Sequence, residues 1–290
     1  MTEPASPLEV ARQARPVEAF EGTHTHIGVF DSGLGGLSVL RALHERLPWA
    51  DLSYVADSGH APYGERDVDF ILARSRHICD FLLTRQVDAI VVACNTATAA
   101  AIHVLRPLHP GVPIVGVEPG VKPAVARSRN KRVGVLATPA TLASDKYRRL
   151  IEAHGRQALI VAQPCPGLAR EIEKGQLDSP PLRELVAGFA QPLIHNGVDT
   201  VVLGCTHYPF ITPLFQQVLG KDVDIIDTAS AVAVHTARLC ATQAEDRQGG
   251  RPASSGRLAF WSSGEPAHLA QVARAWLGIE AQVAALPPAP

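Results

Sequence analysis

The sequence predicts an α/β protein. We expect two similar three-layer α/β/α domains with mostly parallel sheets, related by pseudo-symmetry, with an active site in the cleft between them. Three observations predict it. Residues 88–96 (Asp-Ala-Ile-Val-Val-Ala-Cys-Asn-Thr) and 199–207 (Asp-Thr-Val-Val-Leu-Gly-Cys-Thr-His) each carry an Asp, an apolar run, a small residue and a Cys. Continuous apolar runs of this length are strands buried on both faces, as in parallel sheets. Residues 27–30 (Ile-Gly-Val-Phe) and 133–136 (Val-Gly-Val-Leu) match at an offset of 106, close to the 111 positions between Cys94 and Cys205. Between each opening strand and its Cys strand lies another apolar run, 52–56 and then 158–162, followed by a helical pattern. All α/β chains repeat strand–helix units. The shared Asp–apolar–Cys spacing is what argues for a true repeat.

Residues 1–25, rich in Pro, Glu, Ala and Arg at their start, read as a disordered or loosely docked extension. The first domain is expected over 26–117 plus 228–290, the second over 118–227. Strand 27–30 runs into Asp31-Ser32-Gly33-Leu34-Gly35-Gly36-Leu37-Ser38. A helix follows on Leu37, Leu40, Leu43 and Leu47, and Pro48 stops it. Glycines there permit a tight turn and leave N–H groups free for an anion. Ser38 stands where a dinucleotide fingerprint needs its last Gly. An Asp beside free N–H groups suits a small zwitterion better than a pyrophosphate. Strand 52–56 ends in an Asp57–Gly64 loop, and Asp67 caps a helix that buries Cys79. After the Cys94 strand comes an Ala-rich helix, 97–106, halted by Pro107. Strand 113–117 and Glu118-Pro119-Gly120 cross into the second half.

There, strand 133–136 precedes a helix over 142–153. Strand 158–162 leads to Cys165-Pro166-Gly167 and a helix carrying Glu171 and Glu173. Residues 181–195 are helical, with Pro192 an unexplained break, and Asn196-Gly197 ends them. The Cys205 strand, a strand at 223–226 and a helix to about 244 follow. A polar linker (245–255), a strand (258–261) and a helix (267–277) close the chain, and 287–290 should fray.

Composition bounds the function. The 290 residues are 46% hydrophobic and 19% charged, with net charge −1. That balance suits a globular protein and offers no nucleic-acid groove or membrane patch. Five cysteines with no C-x-x-C argue against a disulfide framework and against a zinc site, so no metal is expected. No signal peptide or membrane-spanning run is present, which places the protein in a reducing cytoplasm.

Polar groups just after buried parallel strands sit where open α/β sheets bind ligands. Facing domains would set Cys94 and Cys205 opposite each other. One thiolate would take a proton from a bound carbon, and the other thiol would return one to the opposite face. Each such group contributes about 10²- to 10⁴-fold. Asn95, Thr96 and Thr206 would supply donors to a carboxylate. The plain alternatives are Asp31 as a helix cap, His207 as a surface or capping residue, Asp57 as a turn residue, Cys165 as a loop thiol and Glu173 as a solvated helix residue. His24 and His26 lie at the edge of the extension and are set aside.

Several stretches together resemble the glutamate racemases of the aspartate/glutamate racemase superfamily. They are 30–37, Pro62-Tyr63-Gly64, Cys94-Asn95-Thr96-Ala97, 134–138 with Thr141, Ser144 and Tyr147, and Gly204-Cys205-Thr206-His207-Tyr208-Pro209. The resemblance spans about 27–240. It implies a cofactor-independent two-base racemase that interconverts L- and D-glutamate, the D-isomer feeding peptidoglycan synthesis. It implies Cys94 and Cys205 as the acid/base pair, with Cys94 taking the proton from the D-isomer and Cys205 from the L-isomer. Asp31 and His207 would assist them. Asp31, Ser32, Tyr63, Gly64, Asn95, Thr96, Thr206 and His207 would line the substrate site, and Asp57 and Glu173 fall where the family has acidic residues. It further implies a homodimer. The extension resembles that of members regulated by a cell-wall precursor. His207 favours glutamate over aspartate, since aspartate racemases of this type resemble Cys-Thr-Glu there. Residues 165–170 depart from the more apolar run common in the family. A non-catalytic amino-acid binder would explain the glycine turns but leave the two cysteines unmotivated.

Overall fold

The computed structural model describes residues 24–246 and 255–289. Most of the extension and most of the polar linker lie outside the described residues. Among the described residues, ten strands form two sheets in which every neighbouring pair is parallel.

In chain order the first sheet takes β1 (His26–Asp31), β2 (Asp51–Ala56), β3 (Ala89–Val92) and β4 (Ile114–Gly116). The second takes β5 (Arg132–Ala137), β6 (Leu159–Pro164), β7 (Thr200–Gly204) and β8 (Asp224–Ile226). The chain then returns to the first sheet for β9 (Leu258–Ser262) and β10 (Val283–Ala285). The orders are β10-β9-β2-β1-β3-β4 and β6-β5-β7-β8. The inner four of the first sheet thus repeat the arrangement of the second. Register makes the correspondence residue by residue. Asp31 pairs with Ala56 as Ala137 pairs with Pro164, and Phe30 pairs with Val92 as Leu136 pairs with Leu203.

Helices cover both faces of each sheet. In the first lobe, α1 (Leu37–Arg46) packs with α10 (Ala229–Asp246) and α11 (Pro266–Leu277) on one face. On the other lie α2 (Val68–Thr84) and α3 (Asn95–Leu108). In the second lobe α4 (Val121–Arg127) and α6 (Asp145–His154) cover one face. The opposite face carries α7 (Leu168–Glu173), α8 (Pro180–His195) and α9 (Thr212–Leu219). The short α5 (Pro139–Ala143) precedes α6. β1, β2, β3 and β7 are buried at every position, as uninterrupted apolar runs require. β6 is an edge strand with Leu159 half exposed, and it runs two residues past the expected run.

Some expectations need correction. α3 begins at Asn95, not residue 97, because the Cys94 Sγ accepts the Ala97 N–H and caps the helix. Pro107 lies inside its last turn, as Pro192 does in α8. His26 is the buried first residue of β1, with Nε2 2.8 Å from Ser53 Oγ, and burial lowers it to about 4. β10 was not expected, because a three-residue strand carries too little pattern to see. Pro287 is docked: its carbonyl lies 3.0 Å from His77 Nε2. No described helix is long and apolar enough to cross a membrane.

Candidate active site

Both cysteines sit just past the carboxyl ends of central strands, β3 and β7, where the chain turns into the next helical segment. Both thiols are buried, at 5% and 7% exposure. They are near enough for the charge on Cys205 to act on Cys94.

Around Cys94 the geometry begins with Asp31 at the end of β1. Its Oδ1 accepts the Ser32 N–H at 2.6 Å and the Ser32 hydroxyl at 3.2 Å. Its Oδ2 accepts the Gly36 N–H and, from the second lobe, the Thr206 hydroxyl at 3.2 Å. Asp31 therefore closes its own turn and also ties the lobes. Cys94 Sγ donates to Ser32 Oγ at 3.6 Å. Burial pushes the Cys94 thiol far up, and the Asp31 carboxylate pushes the same way. Burial raises Asp31 too, opposed by the positive charge of His207.

Around Cys205 the partner is an imidazole. His207 Nδ1 lies 3.5 Å from Cys205 Sγ, and Nε2 is bonded to Glu173 Oε1. Burial alone would lower His207. The thiol of Cys205 and the carboxylate of Glu173 more than reverse this, and His207 rises well above its ordinary value. Glu173 was expected to be solvated. Instead its carboxylate also accepts the Leu34 N–H of the glycine turn at 2.6 Å. The turn needs its glycines for this contact. A Cβ at Gly33 would meet Glu173 Oε1 at 2.2 Å, and one at Gly35 would meet His207 Nδ1 at 2.4 Å.

Tyr63 and Gly64 stand on a single 3₁₀ turn, 63–65. The Tyr63 hydroxyl donates to Asp57 Oδ2 at 2.5 Å, and Arg74 holds both oxygens of Asp57 at 2.7 and 2.9 Å. Asp57 is thus no mere turn residue. It is fully buried, and although burial opposes ionisation, hydrogen bonds from Arg74, Ser263 and Tyr63 hold it below its ordinary value. Thr96 Oγ1 lies 3.0 Å from Thr138 Oγ1 and 3.3 Å from Thr141 Oγ1, a second hydroxyl tie between the lobes. Asn95 Nδ2 and the Tyr147 hydroxyl are buried without a hydrogen-bond partner. Both line one small cavity of about 10 Å³, room for roughly one water. Thr96 also lines a larger cleft of about 680 Å³ between residues of the two lobes, with Arg66, Asp145, Lys146 and Arg149 among its charged lining.

The structure therefore gathers Asp31, Ser32, Cys94, Cys205, Thr206 and His207 into one buried cluster, with Asn95 and Thr96 following Cys94 and Tyr63 and Gly64 beside it. Sequence reasoning gave Glu173 no partner, left Asp57 as a turn residue and overlooked Thr138 as a tie. Cys165, expected as a loop thiol, is buried at 2% and donates to the Gln163 carbonyl at 3.4 Å. The one local signal for Glu173 and Asp57 was that each is an acid within three residues of a helix end or strand end.

Residues 27–236 match a family described as Asp/Glu/Hydantoin racemase, and the chain belongs to that family. The glutamate racemases of Pseudomonas entomophila and Methylococcus capsulatus are each 49% identical to it, over 85% and 89% of this chain and 91% and 94% of theirs. Among solved structures, the RacE1 isoform of glutamate racemase from Bacillus anthracis superposes with a TM-score of 0.80 at 30% identity, covering 92% of this chain and 98% of that one. Glutamate racemase from Escherichia coli, in complex with L-glutamate and the activator UDP-MurNAc-ala, gives 0.78 at 28%, covering 91% and 98%. Within the family, then, this chain is an enzyme of the glutamate racemase kind.

Proposed function

We propose that the protein interconverts L- and D-glutamate by a cofactor-independent, two-base mechanism. The observation that carries this is the pair of thiols at register-equivalent strand ends on facing lobes. In the L-to-D direction the mechanism requires Cys205 to act as the thiolate, beside a His207 imidazole bonded to Glu173. Cys94 begins protonated, since burial and Asp31 disfavour its anion. L-Glutamate then loses its α-proton to Cys205: the C–H bond breaks and an S–H bond forms. The electron pair passes into the substrate carboxylate. Cys94 delivers its proton to the opposite face, so its S–H bond breaks and the D-isomer forms. The reverse reaction starts with the proton positions exchanged. Ser32, Asn95, Thr96, Thr206, Tyr63 and Gly64 bind the substrate. Arg66, Lys146 and Arg149 outnumber Asp145 in the lining of the cleft, which suits a dicarboxylate approaching from water.

The same reading makes the protein a cytoplasmic homodimer with lobes divided near 118 and 227, supplying D-glutamate for peptidoglycan. It makes a cell-wall precursor of the UDP-MurNAc-ala type an activator. The deciding experiment follows the circular dichroism of L-glutamate with the purified, cofactor-free protein. Decay to zero by the wild type and a stable signal with Cys94→Ser is the expected pair of results. Full racemisation by the variant removes the mechanism.

A further inference from the structure

Tyr54 lies in β2, in register with Val29 on one side and Phe260 on the other. Its ring is fully buried and meets Phe260 edge-on, with centroids 6.1 Å apart. Its hydroxyl donates to the Gly33 carbonyl at 2.8 Å. The glycine turn folds tightly over this phenol. A Cβ at Gly36 would meet the hydroxyl at 2.9 Å and the Asp31 Cβ at 2.6 Å. Burial, with the carboxylates of Asp31 and Glu173 nearby, pushes the phenol far up, so it remains a donor at every working pH.

The Gly33 carbonyl and the Leu34 N–H belong to one peptide group. Tyr54 holds its oxygen, and its N–H binds the Glu173 carboxylate of the other lobe at 2.6 Å. A peptide group is planar, so fixing the oxygen also fixes the direction of the N–H. Hydrogen bonds in such a chain polarise one another, so the phenol also strengthens the N–H as a donor. Glu173 in turn is bonded to His207, whose Nδ1 lies 3.5 Å from Cys205 Sγ. The far end of the turn is tied to the same lobe: Ser38 Oγ lies 2.9 Å from both the Gly35 and the Thr206 carbonyls. We infer that Tyr54 is a positioning residue for the acid/base of the opposite lobe. Through the Gly33–Leu34 peptide it aims Glu173 at His207, and so places the imidazole beside Cys205. Its functional meaning rests on the two-thiol reading.

The test reads the resting protein, and so can fail while racemisation stands. Histidine is labelled with ¹⁵N, and the His207 ring signals are assigned by their loss in His207→Asn. Tyr54→Phe keeps the ring and removes only the hydroxyl. It should move the His207 Nε2 resonance and lower kcat about 2- to 10-fold, the worth of one hydrogen bond, with KM little changed. A hydroxyl that serves packing alone would lower the urea midpoint and leave the resonance and kcat in place, and that result overturns the inference. If Tyr54→Phe does not fold, Leu34 can be replaced by its α-hydroxy acid. The resulting ester removes the N–H that Glu173 accepts and weakens the carbonyl that Tyr54 holds. The His207 resonance should again move, and an unmoved one overturns the inference equally.

Discussion

In the first lobe Cys94 follows β3 and lies beside Asp31 and Ser32, and Asp57 follows β2 on the other side of β1. In the second lobe Cys205 follows β7, and the register puts Ala137, Thr138 and Cys165 at the three matching places. The backbone is repeated but the charge is not. At these places the first half carries carboxylates and the second does not. The second half instead has His207, at the place matching Thr96, with Glu173 behind it from α7. A carboxylate next to a thiol disfavours its anion, and an imidazolium next to one favours it. A substrate lying between the two thiols therefore meets unlike groups, although the reaction it undergoes has equal end states. The difference teaches that a repeated scaffold can place two like thiols in unlike electrostatic surroundings through their neighbours alone.

The comparison is broken most completely by removing either thiol. Cys94→Ser and Cys205→Ser should each lower racemisation by about 10²- to 10⁴-fold, measured polarimetrically from both enantiomers. Because the equilibrium between enantiomers is fixed, kcat/KM must fall equally in the two directions for each variant.

Changing the neighbours should sharpen it. His207→Asn should cost about 10²-fold in kcat and raise the pH midpoint of Cys205 alkylation. Asp31→Asn should instead lower the midpoint of Cys94, since it removes a negative charge. Shifts of the same sign in both variants would refute the proposed asymmetry.

Smaller effects follow from packing. Gly35→Ala drives a Cβ into a His207 ring already held by Cys205 and Glu173, so the lobes must part or the ring must move. We expect a loss of about 1–3 kcal/mol in urea unfolding, together with a higher KM.

Asp57→Asn should act in the first lobe only. The carboxyl of Asp57 is held below its ordinary value near 3.8, so its contribution is complete above that pH and is lost as pH falls through the lowered value. The variant should be less stable by about 1–3 kcal/mol at pH 7. The gap from wild type should narrow below pH 3.8, and a gap that is constant with pH would contradict the assignment.

Much of this was legible before the structure. Buried strands announce themselves as apolar runs, and the offsets of 106 and 111 located the repeat to the residue at β1/β5 and β3/β7. The residues after those strands, Asp31, Ser32, Cys94, Asn95, Thr96, Cys205, Thr206 and His207, were legible because strand ends have a known place in such folds. Glu173 was not. Its partners Leu34 and His207 lie 139 and 34 positions away, and no local pattern encodes a carboxylate reaching across a lobe boundary. Thr138 escaped for the same reason, its partner Thr96 being 42 positions distant. Asp57 looked like a turn residue because Asp-Ser-Gly is turn chemistry. Its real partner, Arg74, sits inside the following helix. The second strand of the repeat was expected at 158–162 and is 159–164, one residue later at its start and two at its end, because β6 is an edge, where exposure blurs the apolar signal.

The order in which the strands occur along the chain bears on how the molecule is made. The second sheet is complete once β8 has been synthesised, from one uninterrupted stretch of chain. The first sheet opens the chain, yet β9, which pairs with β2, arrives more than two hundred residues after β1. The half that leaves the ribosome first is therefore the half that must wait. Asp31 and the glycine turn remain without Glu173, His207 and Thr206 until the later lobe has emerged to receive them.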